Sequence, residues 1–221
     1  MTMKTLAIIG GTGKAGQQVI DEALARGYQL RVLARNPEKV RKSPNITVIS
    51  GDARDKHSLR MLLDSADAVV STLGPAGINN SIKKAKEAAK DMLCYNSTKT
   101  LLPLMAEQGI SRMVLTGGAS LKLPEDNNNF IMRFLLNKFA PKLLGDLAID
   151  RHKEYQLLNE SNIEWTIARC GEIIDKPSNK PLKTSDNKFQ GGQISTHHLA
   201  NFLLDQVEDK QFVRKGVFLA G

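Results

Sequence analysis

The chain has 221 residues, a length that suits one large domain, and 41% hydrophobic with 24% charged residues is enough apolar content to bury a core. That composition excludes a disordered tail or a fibre, and no apolar run approaches the roughly 18 residues of a membrane-spanning helix. A net charge of +8 marks affinity for an anion of some kind, be it nucleic acid, acidic lipid or a phosphate-bearing cofactor.

The chain begins with a strand-like segment, Thr5 to Ile9, with no signal-type apolar region ahead of it, so a cytoplasmic protein is expected. Short Val/Ile/Leu-rich runs then recur at Leu30 to Ala34, Ile46 to Ser50, Ala68 to Ser71, Met113 to Thr116 and Trp165 to Ala168. None alternates with polar residues, the pattern of strands covered on both faces. Between them, Ala15 to Arg26, Lys56 to Leu63 and Asn80 to Gln108 carry apolar residues at helical spacing. This βαβ succession predicts an α/β fold with a doubly wound parallel sheet. Gly27, Gly51, Gly74, Gly109, Gly117 and Pro75 punctuate the expected boundaries.

The rhythm changes between residues 121 and 159, where two helical stretches, Phe130 to Phe139 and Leu143 to Asn159, follow one another with Pro141 between them. They predict a small helical cover before the sixth strand, inserted over the cofactor edge of a single domain spanning 1–221. Phe130, Ile131, Phe134, Leu135 and Phe139 are expected to be core packing. The remaining residues suffice for a last strand and a helix including Leu199 to Val207.

The first strand runs directly into Gly10-Gly11-Thr12-Gly13-Lys14-Ala15-Gly16 and a helix. Gly10, Gly13 and Gly16 form a GxxGxxG variant of the dinucleotide fingerprint, in which glycines permit a tight turn, a close pyrophosphate and close helix packing. A nucleotide triphosphate loop of the GxxxxGKS/T type is excluded because Ala15 follows Lys14. Where NAD enzymes place an acidic residue after the second strand, this chain has Arg35, with Lys39 a turn further and Lys14 in the loop. A guanidinium there suits a 2′-phosphate, so NADP(H) is expected over NAD(H). The plainer reading of Lys14 and Lys39 is solvated surface lysine. Asp52 suits the adenine amino group, and Asp55 suits a helix cap.

Together these segments resemble a known group, the atypical short-chain dehydrogenase/reductases, in particular the biliverdin-IXβ and flavin reductase branch and its NmrA-like relatives. The likeness runs through GGTGKAG, VLARNP, SGDARD, STLG, MVLTGGASL, LLNESNIEWTIAR and QISTHHLANFLL. It implies a Rossmann fold and NAD(P) binding by Gly10, Thr12, Gly13 and Lys14 at the pyrophosphate. It also implies Arg35 and Lys39 at the 2′-phosphate, Asp52 and Ala53 at adenine, and Leu73 and Gly74 along the cofactor.

The departures concern catalysis. The YxxxK lysine of the wider superfamily falls on Lys153, but Ile149 stands where its tyrosine belongs, and Tyr155 has Asn159 four residues on. A serine that the flavin-reductase-like branch places near nicotinamide falls on Gly118, flanked by Thr116 and Ser120, and its histidine has no counterpart in Arg169-Cys170-Gly171-Glu172. Lys153, Thr116 and Ser120 are therefore the catalytic candidates. Without a tyrosine, hydride transfer from NADPH to a small planar acceptor such as a flavin, quinone or tetrapyrrole is favoured, because its proton can come from solvent. A non-catalytic NADP(H)-binding sensor is the alternative, and a nucleotide-sugar epimerase or dehydratase is disfavoured.

Other reactive residues have plain readings. Cys94 and Cys170 read as buried thiols, His197 and His198 as helix-start residues, and Tyr155 as a packing aromatic. No metal-ligand spacing is present. The lysines at 83, 84, 86 and 90 read as a solvated helix face, so neither nucleic acid nor membrane is an expected partner, and a monomer or homodimer is expected.

Overall fold

The computed structural model describes residues 4–74, 82–176 and 178–221. The first half lays down β1 (Thr5–Ile9), α1 (Lys14–Ala25), β2 (Gln29–Ala34), β3 (Ile46–Ser50), α2 (Lys56–Leu63) and β4 (Ala68–Ser71). There follow α3 (Ile82–Ala89), α4 (Leu93–Glu107), β5 (Arg112–Gly118), α5 (Phe130–Phe134), a π-helical turn (Leu135–Phe139), α6 (Ala140–Leu144) and α7 (Asp146–Glu160). The chain ends with β6 (Glu164–Cys170), β7 (Glu172–Ile174), β8 (Lys183–Ser185), β9 (Gln193–Ser195), α8 (Thr196–Glu208) and β10 (Lys215–Ala220).

Among the described residues, eight strands form one sheet in the order β3-β2-β1-β4-β5-β6-β10-β8, parallel except for β8, while β7 and β9 pair separately. This is the doubly wound Rossmann order: the chain runs outward from β1 to β3, then returns to β4 on the other side of β1. A crevice must open at the carboxyl ends of β1 and β4, where the winding reverses.

Both faces of β1 are buried, which is why its sequence lacks polar alternation. Leu6 and Ile8 pack with Val19 and Ile20 of α1 and Leu199 and Leu203 of α8. Ala7 and Ile9 point the other way, toward Leu59 and Leu62 of α2 and Leu101 and Leu104 of α4. Local signals close the helices: Asp55 caps α2 by accepting from the Ser58 N–H at 2.7 Å, and Ser195 caps α8 by accepting from the His198 N–H at 3.1 Å.

Four expectations need correction. The helix expected over Asn80 to Gln108 is two helices, separated at Met92, which adopts a left-handed φ of 46°; Asn80, Ser81 and Pro75 lie outside the described residues. Pro141 does not divide the helical cover: the backbone stays helical on both sides of it, with a π-helical turn directly before. The break comes at Gly145, whose φ of +58° favours glycine. The short strands β7, β8 and β9 carry too little apolar periodicity to be legible. Finally, Phe130, Ile131, Phe134, Leu135 and Phe139 are not core: they are 75%, 70%, 55%, 41% and 56% exposed.

The loop from β5 to α5 is held from inside the sheet. Arg169 of β6 makes a paired ion contact with Asp126, at 2.6 and 2.8 Å, and also donates to the Leu121 carbonyl. Both side chains are buried, and the guanidinium stacks 3.6 Å from the Phe218 ring centre.

Candidate functional site

The crevice holds a cavity of about 530 Å³, bounded by the ends of β1, β2, β3, β4, β5 and β6. Its floor at β1 is the glycine turn. Gly10 has φ +82°, and a Cβ on it would come within 2.7 Å of the Thr72 carbonyl carbon. A Cβ on Gly16 would come within 2.2 Å of the Gly10 carbonyl oxygen. Turn and helix therefore touch backbone to backbone, which only glycine allows.

Gly13 stands at the N-cap of α1 with no side-chain hydrogen bond closing the helix. The first-turn N–H groups of α1 thus face the cavity without a capping side chain, an arrangement that fits a pyrophosphate. Gly10, Thr12, Gly13, Lys14 and Gly16 all line this part of the cavity.

From β2, Arg35 lines the cavity with an exposed side chain. Lys39 sits on a 3-10 turn (Pro37–Lys39), is exposed, and does not line the cavity. From β3 come Asp52 and Ala53. Asp52 is engaged by the Arg54 guanidinium at 2.9 and 3.1 Å, which, with the nearby Arg35 charge, holds its carboxyl below the usual range. It stays charged; Oδ1 also accepts from the Arg54 backbone N–H at 2.9 Å, and Oδ2 keeps a lone pair for a further donor. Leu73 and Gly74, after β4, complete the wall expected along a cofactor.

The far end is built by β5, β6 and α7. Thr116, Gly118 and Ser120 line it, as do Cys170 and Leu147. Burial pushes the Cys170 thiol up to about 12, so it is a neutral wall atom and not a nucleophile.

Lys153 is absent from this end. It is exposed on α7, with its Nζ 5.7 Å from the Tyr95 ring centre. Two positions along a helix is a rotation of about 200°, so the residue presented to the cavity is Arg151. Its guanidinium donates to the Leu73 carbonyl and, at 2.6 Å, to Glu154. Thr98 of α4 donates to the other Glu154 oxygen at 3.0 Å. Burial raises the Glu154 pKa, against the pull of Arg151 and Thr98.

Asp150, also lining the cavity, caps α4 from outside its own helix by accepting from the Cys94 and Tyr95 N–H groups at 3.0 and 2.8 Å. These α7 residues were missed by motif spacing. A signal was present: Leu147, Asp150, Glu154 and Leu158, the buried positions of α7, follow the three- and four-residue helical period. Among the described residues, neither tyrosine nor histidine lines the cavity, and no cluster of metal-ligating side chains occurs.

Over residues 10–210 the sequence matches a family described as NAD(P)H-binding. The chain is 23% identical over 211 residues to the uncharacterized protein YwnB of Bacillus subtilis (strain 168), covering 92% of each chain. It is 37% identical over 100 residues to phenylcoumaran benzylic ether reductase IRL1 of Ginkgo biloba, a match that spans 39% of this chain and only 33% of that enzyme. Its fold superimposes with a TM-score of 0.78 on a short-chain dehydrogenase/reductase of Veillonella parvula DSM 2008 in complex with NADP, at 16% identity and covering 99% of this chain and 94% of that one. The chain belongs to the NAD(P)H-binding family.

Proposed function

We propose that the protein is an NADPH-dependent reductase that passes hydride to a small planar acceptor of the flavin, quinone or tetrapyrrole kind. The observation that carries this reading is the cavity itself: an uncapped helix N-terminus and the Arg35 guanidinium at one end, and at the other a partly apolar, hydroxyl-bearing end that, among the described residues, no tyrosine or histidine lines. NADPH, when bound, supplies the hydride.

In this reading the first-turn N–H groups of α1 hold the pyrophosphate and Lys14 adds a cation beside it. Arg35 grips the 2′-phosphate, which sets the preference for NADPH, while Asp52 and Ala53 receive adenine. Arg151 takes the place foreseen for Lys153: two of its donors are used by Leu73 and Glu154, and the remainder serve the nicotinamide ribose or an acceptor oxygen. Thr116 and Ser120 orient the acceptor. The proton comes from solvent, since Cys170 holds its own too tightly to donate it. Residues 121–159 cover the cofactor edge of a single domain.

That no tyrosine or histidine among the described residues lines the cavity also favours a second reading, an NADP(H)-binding sensor without turnover. Titration of the purified chain with NADPH and NADH, followed by absorbance of the reduced nicotinamide in the presence of FMN, riboflavin, quinones and biliverdin, separates the two. Oxidation with at least one acceptor is expected. Tight NADPH binding with no oxidation across the panel makes the protein a sensor.

A further inference from the structure

The helical cover presents an apolar face that the fold itself leaves unused. From Asn129, whose side chain caps the run by accepting from the Met132 N–H at 2.9 Å, the backbone stays helical over residues 130–144. Phe130, Phe134, Phe139 and Leu143 succeed one another at steps of four, five and four, and all are exposed. The step of five falls on the π-helical turn, whose wider hydrogen-bonded loop keeps Phe139 close in line with Phe134. Ile131 and Leu135 widen the stripe. The opposite face is anchored: Leu136 is buried against Ala119 and Phe218, with Met132 and Phe189 packed beside it. The exposure is therefore a property of a helix docked on the sheet.

Charge selects what covers such a face. Residues 127–145 contain three cations, Arg133, Lys138 and Lys142, and no acidic residue. All three are exposed, and among the described residues none forms an ion pair. Lys188 adds a fourth cation at the start of the run, where it shares a shallow groove with Asn127, Asn128, Asn129 and Met132. Two copies of this face would bring like charges together, whereas an anionic surface would neutralise them. Aromatic residues flanked by long cationic side chains are the composition of helices that lie in a lipid interface, ring side down, with ammonium and guanidinium groups at the headgroups.

Against the expectation from the sequence that no membrane is a partner, we propose that the exposed 130–143 face docks the protein peripherally on an anionic lipid surface. No helix among the described residues is long and apolar enough to cross a membrane, and this mode of binding needs none. Leu144, at the end of the same run, lines the cavity, so a docked molecule would have one cavity wall continuous with the lipid-facing helix.

Co-sedimentation of the full chain with vesicles of phosphatidylcholine and phosphatidylglycerol in about equal parts tests this, against vesicles of phosphatidylcholine alone. Binding to the anionic vesicles is expected, with loss in high salt. Phe134→Glu with Phe139→Glu, and separately Lys138→Glu with Lys142→Glu, should each weaken it by at least about tenfold. These side chains are exposed, so melting temperature and NADPH affinity should match the parent and certify the fold. No binding to anionic vesicles, or equal binding to both compositions, overturns the proposal. So does a stable homodimer in light scattering that Phe134→Glu with Phe139→Glu converts to monomer without changing lipid binding.

Discussion

Replacing Arg151 by Gln tests the buried arrangement at the far end of the cavity. The Arg151 and Glu154 side chains are 17% and 5% exposed and meet at 2.6 Å. At an effective dielectric of about 20 their attraction is roughly 6 kcal/mol, offset by several kcal/mol of desolvation per ion. Removing one partner leaves that desolvation uncompensated, and the expected loss of stability near neutral pH is about 3–5 kcal/mol. For a chain of this size that lowers Tm by roughly 6–20 °C.

The loss has a pH signature. Burial already holds the Glu154 pKa above its ordinary value of 4.5, and without Arg151 it rises further. A carboxyl whose folded pKa exceeds its unfolded one binds more protons when folded, so stability falls as pH rises between the two values. The Arg151→Gln penalty should therefore be largest at neutral pH and shrink as pH falls toward 4.5. Thermal melts across pH, for Arg151→Gln, Glu154→Gln and the double variant, provide the assay. The double variant should recover much of the loss, because an amide at 154 is no longer an unpaired buried charge. A loss that is independent of pH, or a double variant no better than Arg151→Gln alone, refutes the reasoning.

Arg35→Ala should weaken NADPH binding about 10- to 100-fold and leave NADH unchanged, whereas Lys39→Ala, off the cavity, should change neither; fluorescence titration with both cofactors checks this. Gly16→Ala puts a methyl 2.2 Å from the Gly10 carbonyl oxygen, so it should cost about 1–3 kcal/mol and abolish the stabilisation that NADPH gives in a thermal shift. A normal ligand-induced shift would show that the turn is not the phosphate site. Asp126→Ala strands the buried Arg169 guanidinium and should cost about 3–5 kcal/mol in urea unfolding, with a smaller loss for Asp126→Asn.

Strands, their parallel pairing and the glycine turn are legible in the sequence because each is written locally. Leu6 to Ile9 form an apolar run with no polar face, and Gly10, Gly13 and Gly16 sit where strand becomes helix. Arg35 is legible for the same reason: position after the second strand fixes which sheet edge it reaches. The site's far end is not local. Whether Arg151 or Lys153 meets the cavity depends on the rotation of α7, which is set by Asp150 reaching the N-terminus of α4 and Glu154 reaching Thr98. Both partners lie more than fifty residues away in the chain.

The helical cover shows the same division. Its period and apolar content are evident in the sequence, but periodicity alone does not say which of two apolar faces meets the core. Leu136 wins the buried side because Phe218 and Ala119 offer it a matching surface, and the π-helical turn carries the phenylalanines outward. A doubly wound sheet with a glycine turn after its first strand was thus legible from the sequence, because spacing along the chain dictates strand, turn and helix. Only the tertiary structure decided which cation faces the far end and which hydrophobic residues face outward, because both depend on helix rotation fixed by contacts between distant segments.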